Sequence, residues 1–265
     1  MGLIEAIVLA IIEGLTEYIP VSSTGHMIIA STFMGIQSEA FVKLFTICIQ
    51  LGAIMAVVAL YFKRFFVSIE FYYKLFVAFL PAVVLGVLLK STIDSMLESV
   101  VVVACSLIIG GIFLVFIDKL SIQNTKDAEP QTTYKNALVI GLFQTLSMIP
   151  GVSRSAATII GGMTQGLTRK AAAEFSFFLA VPTMFGATAK SLWDFFDDGG
   201  TISGEEIKIL AIGNVIAFVV SILAIRFMIG ILTKYGFKYF GYFRIVVGGI
   251  ILALYFSGFS LQLID

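Results

Sequence analysis

Two short polar stretches stand in otherwise apolar surroundings. The first is Glu13-Gly-Leu-Thr-Glu17-Tyr-Ile-Pro20-Val-Ser22-Ser23-Thr24-Gly25-His26, which holds the chain's only histidine. The second is Pro150-Gly151-Val152-Ser153-Arg154-Ser155-Ala-Ala-Thr158. Glu13 and Glu17 are spaced i, i+4 and so share one helix face. Carboxylates in an apolar helix usually face a polar cavity and carry function; the plain alternative is a hydrated helix end. A divalent cation held by both would relieve their repulsion, and hard oxygen ligands suit Mg²⁺ or Ca²⁺.

A helix restarts after each proline, with Ser22, Ser23 and Thr24 crowded at the first restart and Ser153 and Ser155 at the second. These are N-cap residues by type, and one or two of them need do nothing more than cap. If the two restarting helices point at each other, their dipoles, free N–H groups and hydroxyls converge with Arg154. That is an anion site, and phosphate is its natural occupant. The planar fork of Arg154 suits phosphate better than a lysine does. His26 lies three residues after Ser23 on the same face, within reach of proton exchange at that hydroxyl; the rival reading is a buried structural histidine. A Ser–His pair, an anion site and carboxylates together fit phosphoryl transfer, where positioning and charge neutralisation dominate.

The elements that position these residues follow from composition. Of 265 residues 59% are hydrophobic and 13% charged, whereas soluble domains average about 25% charged. The mean hydropathy is +1.03, and long apolar runs identify an integral, all-α polytopic membrane protein. Zero net charge suggests no nucleic-acid partner. Cys48 and Cys105 lie in apolar runs without metal-ligand spacing and read as packing residues. Glu5 and the lack of a basic leader predict an N-terminus that belongs to the fold.

Residues 3–19 and 27–35 are apolar but too short or too interrupted to span, since a transmembrane helix needs roughly 20 apolar residues. They read as a re-entrant hairpin, because irregular backbone at membrane depth must be buried in protein or line a cavity. Spans follow at about 41–62, 73–90 and 98–117, then a polar linker at 118–135. The pattern restarts: 136–149 and 155–166 flank the second polar stretch, and spans follow at about 170–192, 206–229 and 241–259. Pro20 and Pro150 stand 130 apart, as do Phe45 and Phe175, and Gly-Gly-Ile recurs at 110–112 and 248–250. The expectation is one membrane domain, 1–265, of two repeats (about 1–117 and 136–265), each a hairpin plus three spans.

Three spans is an odd number, so the repeats must have inverted topology. Basic residues agree. One side collects Lys63, Arg64, Lys74, Lys119, Lys126, Lys135, Arg169, Lys170, Arg226, Lys234, Lys238 and Arg244. The other has Lys43, Lys90, Lys190 and Lys208 with the acidic loop Asp194, Asp197, Asp198, Glu205 and Glu206. The positive-inside rule then puts both termini outside, the first hairpin opening outward and the second toward the cytoplasm. Spacing does not decide whether Glu174, about a turn into its span, ends a helix or contacts the core.

At these residues the chain resembles the undecaprenyl-diphosphate phosphatases of bacteria, the bacitracin-resistance proteins. Their two signatures are Glu-x-x-x-Glu with Pro-x-Ser-Ser-Thr-Gly-His, and Pro-Gly-x-Ser-Arg-Ser-x-x-Thr. Both stand here intact, as Glu13, Glu17, Pro20, Ser22, Ser23, Thr24, Gly25 and His26, then Pro150, Gly151, Ser153, Arg154, Ser155 and Thr158. The resemblance covers the whole chain and implies a plasma-membrane enzyme of cell-wall synthesis. It would remove the terminal phosphate of a C55 isoprenyl diphosphate with a divalent cation, Mg²⁺ or Ca²⁺. It also implies a fold of paired re-entrant hairpins in inverted repeats. Carried onto these positions, Glu13 and Glu17 hold the metal or orient the diphosphate, Ser23 attacks and His26 is acid/base; the reverse, with His26 attacking, stays open. Arg154, Ser153 and Thr158 grip phosphate, with Ser22, Thr24, Gly25, Gly151 and Ser155 as weaker contacts. The implied partners are the prenyl lipid and the bilayer, and a homodimer is compatible with the sequence. The rival from another class is a transporter or lipid-carrier flippase, which shares broken helices and a midplane site but needs no nucleophile.

Overall fold

The computed structural model describes residues 1–37, 39–66, 68–97, 99–119, 132–258 and 261. Most of the linker expected at 118–135, with Lys126, lies outside the described residues, as does the last position of the span expected at 241–259. Among the described residues every regular element is helical. Six helices among the described residues are long and apolar enough to cross a membrane. The first is α3 (Ala40–Cys48) running through Ile49 into α4 (Gln50–Leu60). The others are α5 (Ile69–Leu88), α7 (Val100–Ile117), α10 (Arg169–Asp197), α11 (Gly204–Tyr235) and α12 (Lys238–Phe256). A short α6 (Lys90–Leu97), which the sequence did not suggest, joins α5 to α7.

Four shorter helices stand apart: α1 (Leu3–Thr16), α2 (Ser23–Met34), α8 (Tyr134–Thr145) and α9 (Arg154–Thr164). They have 14, 12, 12 and 11 residues. At 1.5 Å per residue each is about 16–21 Å long, against a hydrocarbon core of about 30 Å. Pro20 and Pro150 keep α1 and α8 from running on into α2 and α9, because the residue before a proline is pushed out of the helical region. α1 packs on α2, and α8 on α9.

Close helix contacts go through glycines, as expected where lipid supplies no hydrophobic drive and association rests on van der Waals packing. α1 lies along α11, where Gly14 makes room for the Ala217 carbonyl and Val220 and its own carbonyl accepts from Ser221 (3.3 Å). α8 lies along α5, with Gly141 against the Ala78 carbonyl. α7 and α12 share the most extensive contact. A Cβ on Gly241 would fall 2.6 Å from the Gly111 carbonyl oxygen, and one on Gly248 would fall 2.8 Å from that of Ala104. The partner number drops as the residue number climbs, so α7 and α12 run antiparallel. Gly111 and Gly241 stand 130 apart, the same offset as the two prolines.

Polar ties fix one end of the bundle. Asp118, after α7, accepts from Arg169 (2.8 Å) and from the backbone N–H groups of Phe237 (2.7 Å) and Lys238 (3.3 Å). Glu174 is buried and pairs with Arg64 at 2.9 Å, so it ties α10 to the segment after α4. Arg244, counted with the basic residues of one side and falling within the span expected at 241–259, lies inside α12 and is 1% exposed. Gly110 opens the notch it fills, since a Cβ there would fall 2.5 Å from Arg244 Nη2.

Candidate active site

The loops after the two prolines meet. Arg154, the first residue of α9, donates from Nη2 to Glu17 Oε1 at 3.1 Å and from Nη1 to the Ser176 carbonyl at 3.1 Å. Both side chains of the ion pair are only 10% exposed. The Arg154 guanidinium also lies 5.8 Å from the centroid of the buried Tyr18 ring, whose hydroxyl donates to the Ala53 carbonyl (3.0 Å). Ser23, the first residue of α2, donates its hydroxyl to Glu17 Oε2 at 2.9 Å. Glu17 therefore has one oxygen on the arginine of the second loop and the other on the serine of the first.

Ser22 just before α2 has φ +68, and Gly151 at the second loop has φ +87. A positive φ in a residue with a Cβ is uncommon and costs of order 1–3 kcal/mol, and such strain gathers at functional sites. It aims the Ser22 carbonyl at His26, whose Nδ1 lies 2.8 Å away. A carbonyl only accepts, so Nδ1 carries the proton, and the buried Nε2 has no hydrogen-bond partner among the described residues. The ring stacks on Phe243 with centroids 5.4 Å apart and planes 6° from parallel. Burial lowers the His26 pKa below its usual value; the Ser22 carbonyl bond opposes this and the charge of Arg244 adds to it.

Two cavities flank this junction. A small one of about 40 Å³ is lined by Glu13, Ser23, Thr24, Thr46 and Gln50 with three apolar residues. A large one of about 800 Å³ is almost wholly apolar, lined by Ile12, Leu15, Ile19, Phe227 and Phe240 among others, with His26 on its wall. Ser23 and His26 thus line different cavities, and their polar atoms bond to Glu17 and Ser22 respectively. The proton exchange between them that their spacing suggested is not formed here.

The remaining expected residues divide. Thr24 lines the polar cavity. Ser153 caps α9 by accepting from the Ala156 N–H (3.3 Å) and lies 2.9 Å from the Ser155 hydroxyl. Thr158 is fully buried, donating to the Arg154 carbonyl (2.8 Å) and 2.6 Å from Ser176 Oγ. Gly25 lets α2 approach α7: a Cβ there would meet Leu107 Cδ1 at 2.7 Å. Gly151 does the same against the Val103 carbonyl (2.5 Å). Ser155, Thr158, Gly25 and Gly151 therefore shape the loops and helix contacts. Reading by motif missed Thr46, Gln50, Ser176 and Arg244. Thr46 and Ser176 carried a usable signal, because they too stand 130 apart.

The small cavity fits a hard divalent cation by the chemistry of its donors. Glu13 is 2% exposed and shares the wall with hydroxyl and amide oxygens. Among the described residues no cluster of three or more His, Cys, Asp or Glu side chains forms a full cage. One carboxylate with neutral oxygens is how Mg²⁺ is usually held when substrate phosphates complete the shell.

Helices too short to span, a buried carboxylate–arginine–serine junction and an apolar cavity beside it define a polytopic membrane protein built around a polar internal site. The family model described as Bacitracin resistance protein BacA matches residues 6–250, and the chain belongs to that family. It is 58% identical over 264 residues to the undecaprenyl-diphosphatase of Flavobacterium psychrophilum, covering 100% of both chains. The undecaprenyl-diphosphatase of Flavobacterium johnsoniae is 59% identical over 257 residues, 97% of each chain. That of Porphyromonas gingivalis is 51% identical over 281 residues, 98% of this chain and 99% of the relative.

Proposed function

We propose that this protein hydrolyses undecaprenyl diphosphate to undecaprenyl phosphate and inorganic phosphate, recycling the lipid carrier of cell-wall synthesis. Full-length similarity to undecaprenyl-diphosphatases supports the reaction. The observation that carries the site assignment is the Glu17 carboxylate shared between Ser23 and Arg154. Ser23 Oγ attacks the terminal phosphorus while its proton passes to Glu17, 2.9 Å away and within general-base reach. The bridging P–O bond breaks and prenyl monophosphate leaves. Water then attacks the phosphoserine and gives a proton to His26 Nε2, the Oγ–P bond breaks, Glu17 returns the serine proton, and His26 releases its proton to the departing inorganic phosphate. Arg154 turns from Glu17 to the phosphate oxygens, where its charge matches that of the transition state. A divalent cation would be held by Glu13 with Thr46 and Gln50, and would supply charge neutralisation for the diphosphate. The apolar cavity takes the first isoprene units.

A second reading has His26 Nε2 as the attacking atom, favoured by the Nδ1 bond to Ser22 that leaves the Nε2 lone pair bare. Acid quenching separates the two, since phosphoserine survives acid and phosphohistidine does not.

The fold reading goes with it: two repeats of inverted topology, each a re-entrant hairpin and three spans, joined through a linker at 118–135. The reciprocal Gly111–Gly241 contact between antiparallel α7 and α12 supports this. So does the exchange of partners, in which α1 lies on α11 and α8 on α5. The charge asymmetry survives the removal of Arg244 and favours a plasma-membrane protein with both termini and the site mouth outside. The deciding experiment is phosphate release from a lipid diphosphate by purified protein in detergent, with and without EDTA. No release above Ser23→Ala or Arg154→Ala controls overturns the enzyme assignment.

A further inference from the structure

Arg244 sits 1% exposed inside a membrane-spanning helix, and its partners are all backbone carbonyls. Nη2 donates to the Gly151 carbonyl at 2.9 Å and to that of Ser106 at 3.2 Å, and Nε donates to that of Leu107 at 3.4 Å. No carboxylate among the described residues lies within ion-pair distance of it, whereas Arg154, Arg169 and Arg64 each have one. A buried charge without a counter-ion is costly enough that packing alone does not account for it. A leucine or methionine would fill the notch left by Gly110 more favourably.

What the guanidinium does is set by what it holds. Gly151 lies in the left-handed region at φ +87, just before the Ser153 cap and Arg154. Its carbonyl faces α7 and α12, away from the helix it introduces, and needs a buried donor. The adjacent residue, Phe243, stacks on His26 in the first turn of α2. Two consecutive residues of α12 therefore touch the two segments that form the site.

We propose that Arg244 is a positioning residue for the reaction, fixing the second loop through the Gly151 carbonyl so that Arg154 is aimed at the junction, with Phe243 orienting the His26 ring from the same helix turn. This rests on the reading above in which Arg154 grips phosphate. Arg244 touches no reacting atom. It acts through loop geometry, and a displacement of the order of 1 Å at a positioning group is enough to cost about 10²-fold in rate.

The test compares purified wild type, Arg244→Gln, Arg244→Lys and Arg154→Ala, with rates normalised to folded, monodisperse protein. In Arg244→Gln, kcat should fall ten- to a hundredfold with KM within about threefold. Amide exchange over residues 150–156 should rise at least tenfold while peptides from α1 and α11 are unchanged. Arg244→Lys, which keeps a charged donor, should recover much of the kcat and of the protection. Two results overturn the proposal: kcat per folded enzyme within twofold of wild type in Arg244→Gln, or faster exchange spread evenly over the molecule. Arg154→Ala keeps the outcomes separate. If it retains full activity, the phosphate-grip reading fails; if it is inactive while Arg244→Gln is normal in rate and exchange, only the positioning role fails.

Discussion

Glu17 and Arg154 are 137 residues apart in sequence and 3.1 Å apart at the junction. Each is 10% exposed, so neither is well solvated when the other is removed. Losing one partner of such a pair costs about 3–5 kcal/mol, because the remaining charge is left buried and unpaired. Arg154→Ala should therefore lower the melting temperature and remove about 10²–10³ of kcat. Glu17→Gln in the Arg154→Ala background should recover part of the stability and none of the activity. Melting curves with single and double variants measure this; additive losses would mean that the ion pair is not the coupling.

The cation prediction concerns Glu13. With both Glu17 oxygens already committed to Arg154 and Ser23, Glu13 is the carboxylate on the wall of the small polar cavity. Glu13→Gln should raise the Mg²⁺ or Ca²⁺ concentration for half-maximal activity at least tenfold. It should also abolish the rise in melting temperature that the cation gives the wild type, as expected for a ligand that binds only the folded state. An unchanged melting response in Glu13→Gln would place the cation elsewhere.

His26 gives a pH prediction. Burial lowers its pKa, the Ser22 carbonyl bond partly offsets that, and Arg244 is the charged group identified as acting on it. A depressed pKa means the neutral ring, the form able to accept a proton, persists below about pH 6.5. The acid limb of kcat/KM should accordingly fall below that value, with no His26-dependent change from there up to pH 8. In His26→Gln the limb should disappear and the rate drop about 10²–10⁴-fold. A limb centred above pH 7 that vanishes with His26 would contradict the burial argument.

Much of this was legible in the sequence because membrane burial makes strong patterns. Apolar run length separates spans from half-length helices, and Pro20 and Pro150 mark the break between the two members of each short pair. The Glu13/Glu17 pair and Arg154 were conspicuous as charges in apolar surroundings. What was not legible depends on contacts between distant segments. Arg244 was only one of the basic residues counted for one side, and the notch at Gly110, on another helix, is what gives it a buried place. The i, i+3 spacing of Ser23 and His26 implied a shared face. The carboxylate of Glu17 pulls Ser23 one way, while the positive φ of Ser22 ties His26 another. Thr158 has the motif's hydroxyl but spends it on Arg154 and Ser176, which no spacing rule anticipates.

The α7–α12 contact predicts which glycines tolerate a methyl group. At Gly241 a Cβ would meet the Gly111 carbonyl at 2.6 Å and Val115 Cγ2 at 2.8 Å, whereas Gly230 has nothing within 4 Å. Gly241→Ala should destabilise by about 1–3 kcal/mol through overpacking. Gly230→Ala, exposed on α11, should be neutral or stabilising by up to about 1 kcal/mol, the helix-propensity gain. Fluorescence-detected size-exclusion after heating ranks the two; equal behaviour would show that α7 and α12 are not in tight contact.

Orientation is tested at loops on opposite ends of the helices. In a background with Cys48→Ala and Cys105→Ala, which removes both free thiols, single cysteines are placed at exposed Asp198 and exposed Lys63. Asp198 follows α10 in the acidic loop, and Lys63 follows α4 in a basic segment. One crossing cannot put both on the same side: α10 runs from the Asp118–Arg169 clasp, which also holds the start of α12, to the loop at Asp198. Glu174, one turn into α10, reaches Arg64 beside Lys63. Lys63 therefore lies at the clasp end and Asp198 at the other. The positive-inside rule makes the clasp end cytoplasmic. The Asp198→Cys protein should react with an impermeant maleimide in intact cells and the Lys63→Cys protein only after lysis. The reverse pattern would keep the fold and invert it in the membrane, turning the mouth of the site toward the cytoplasm.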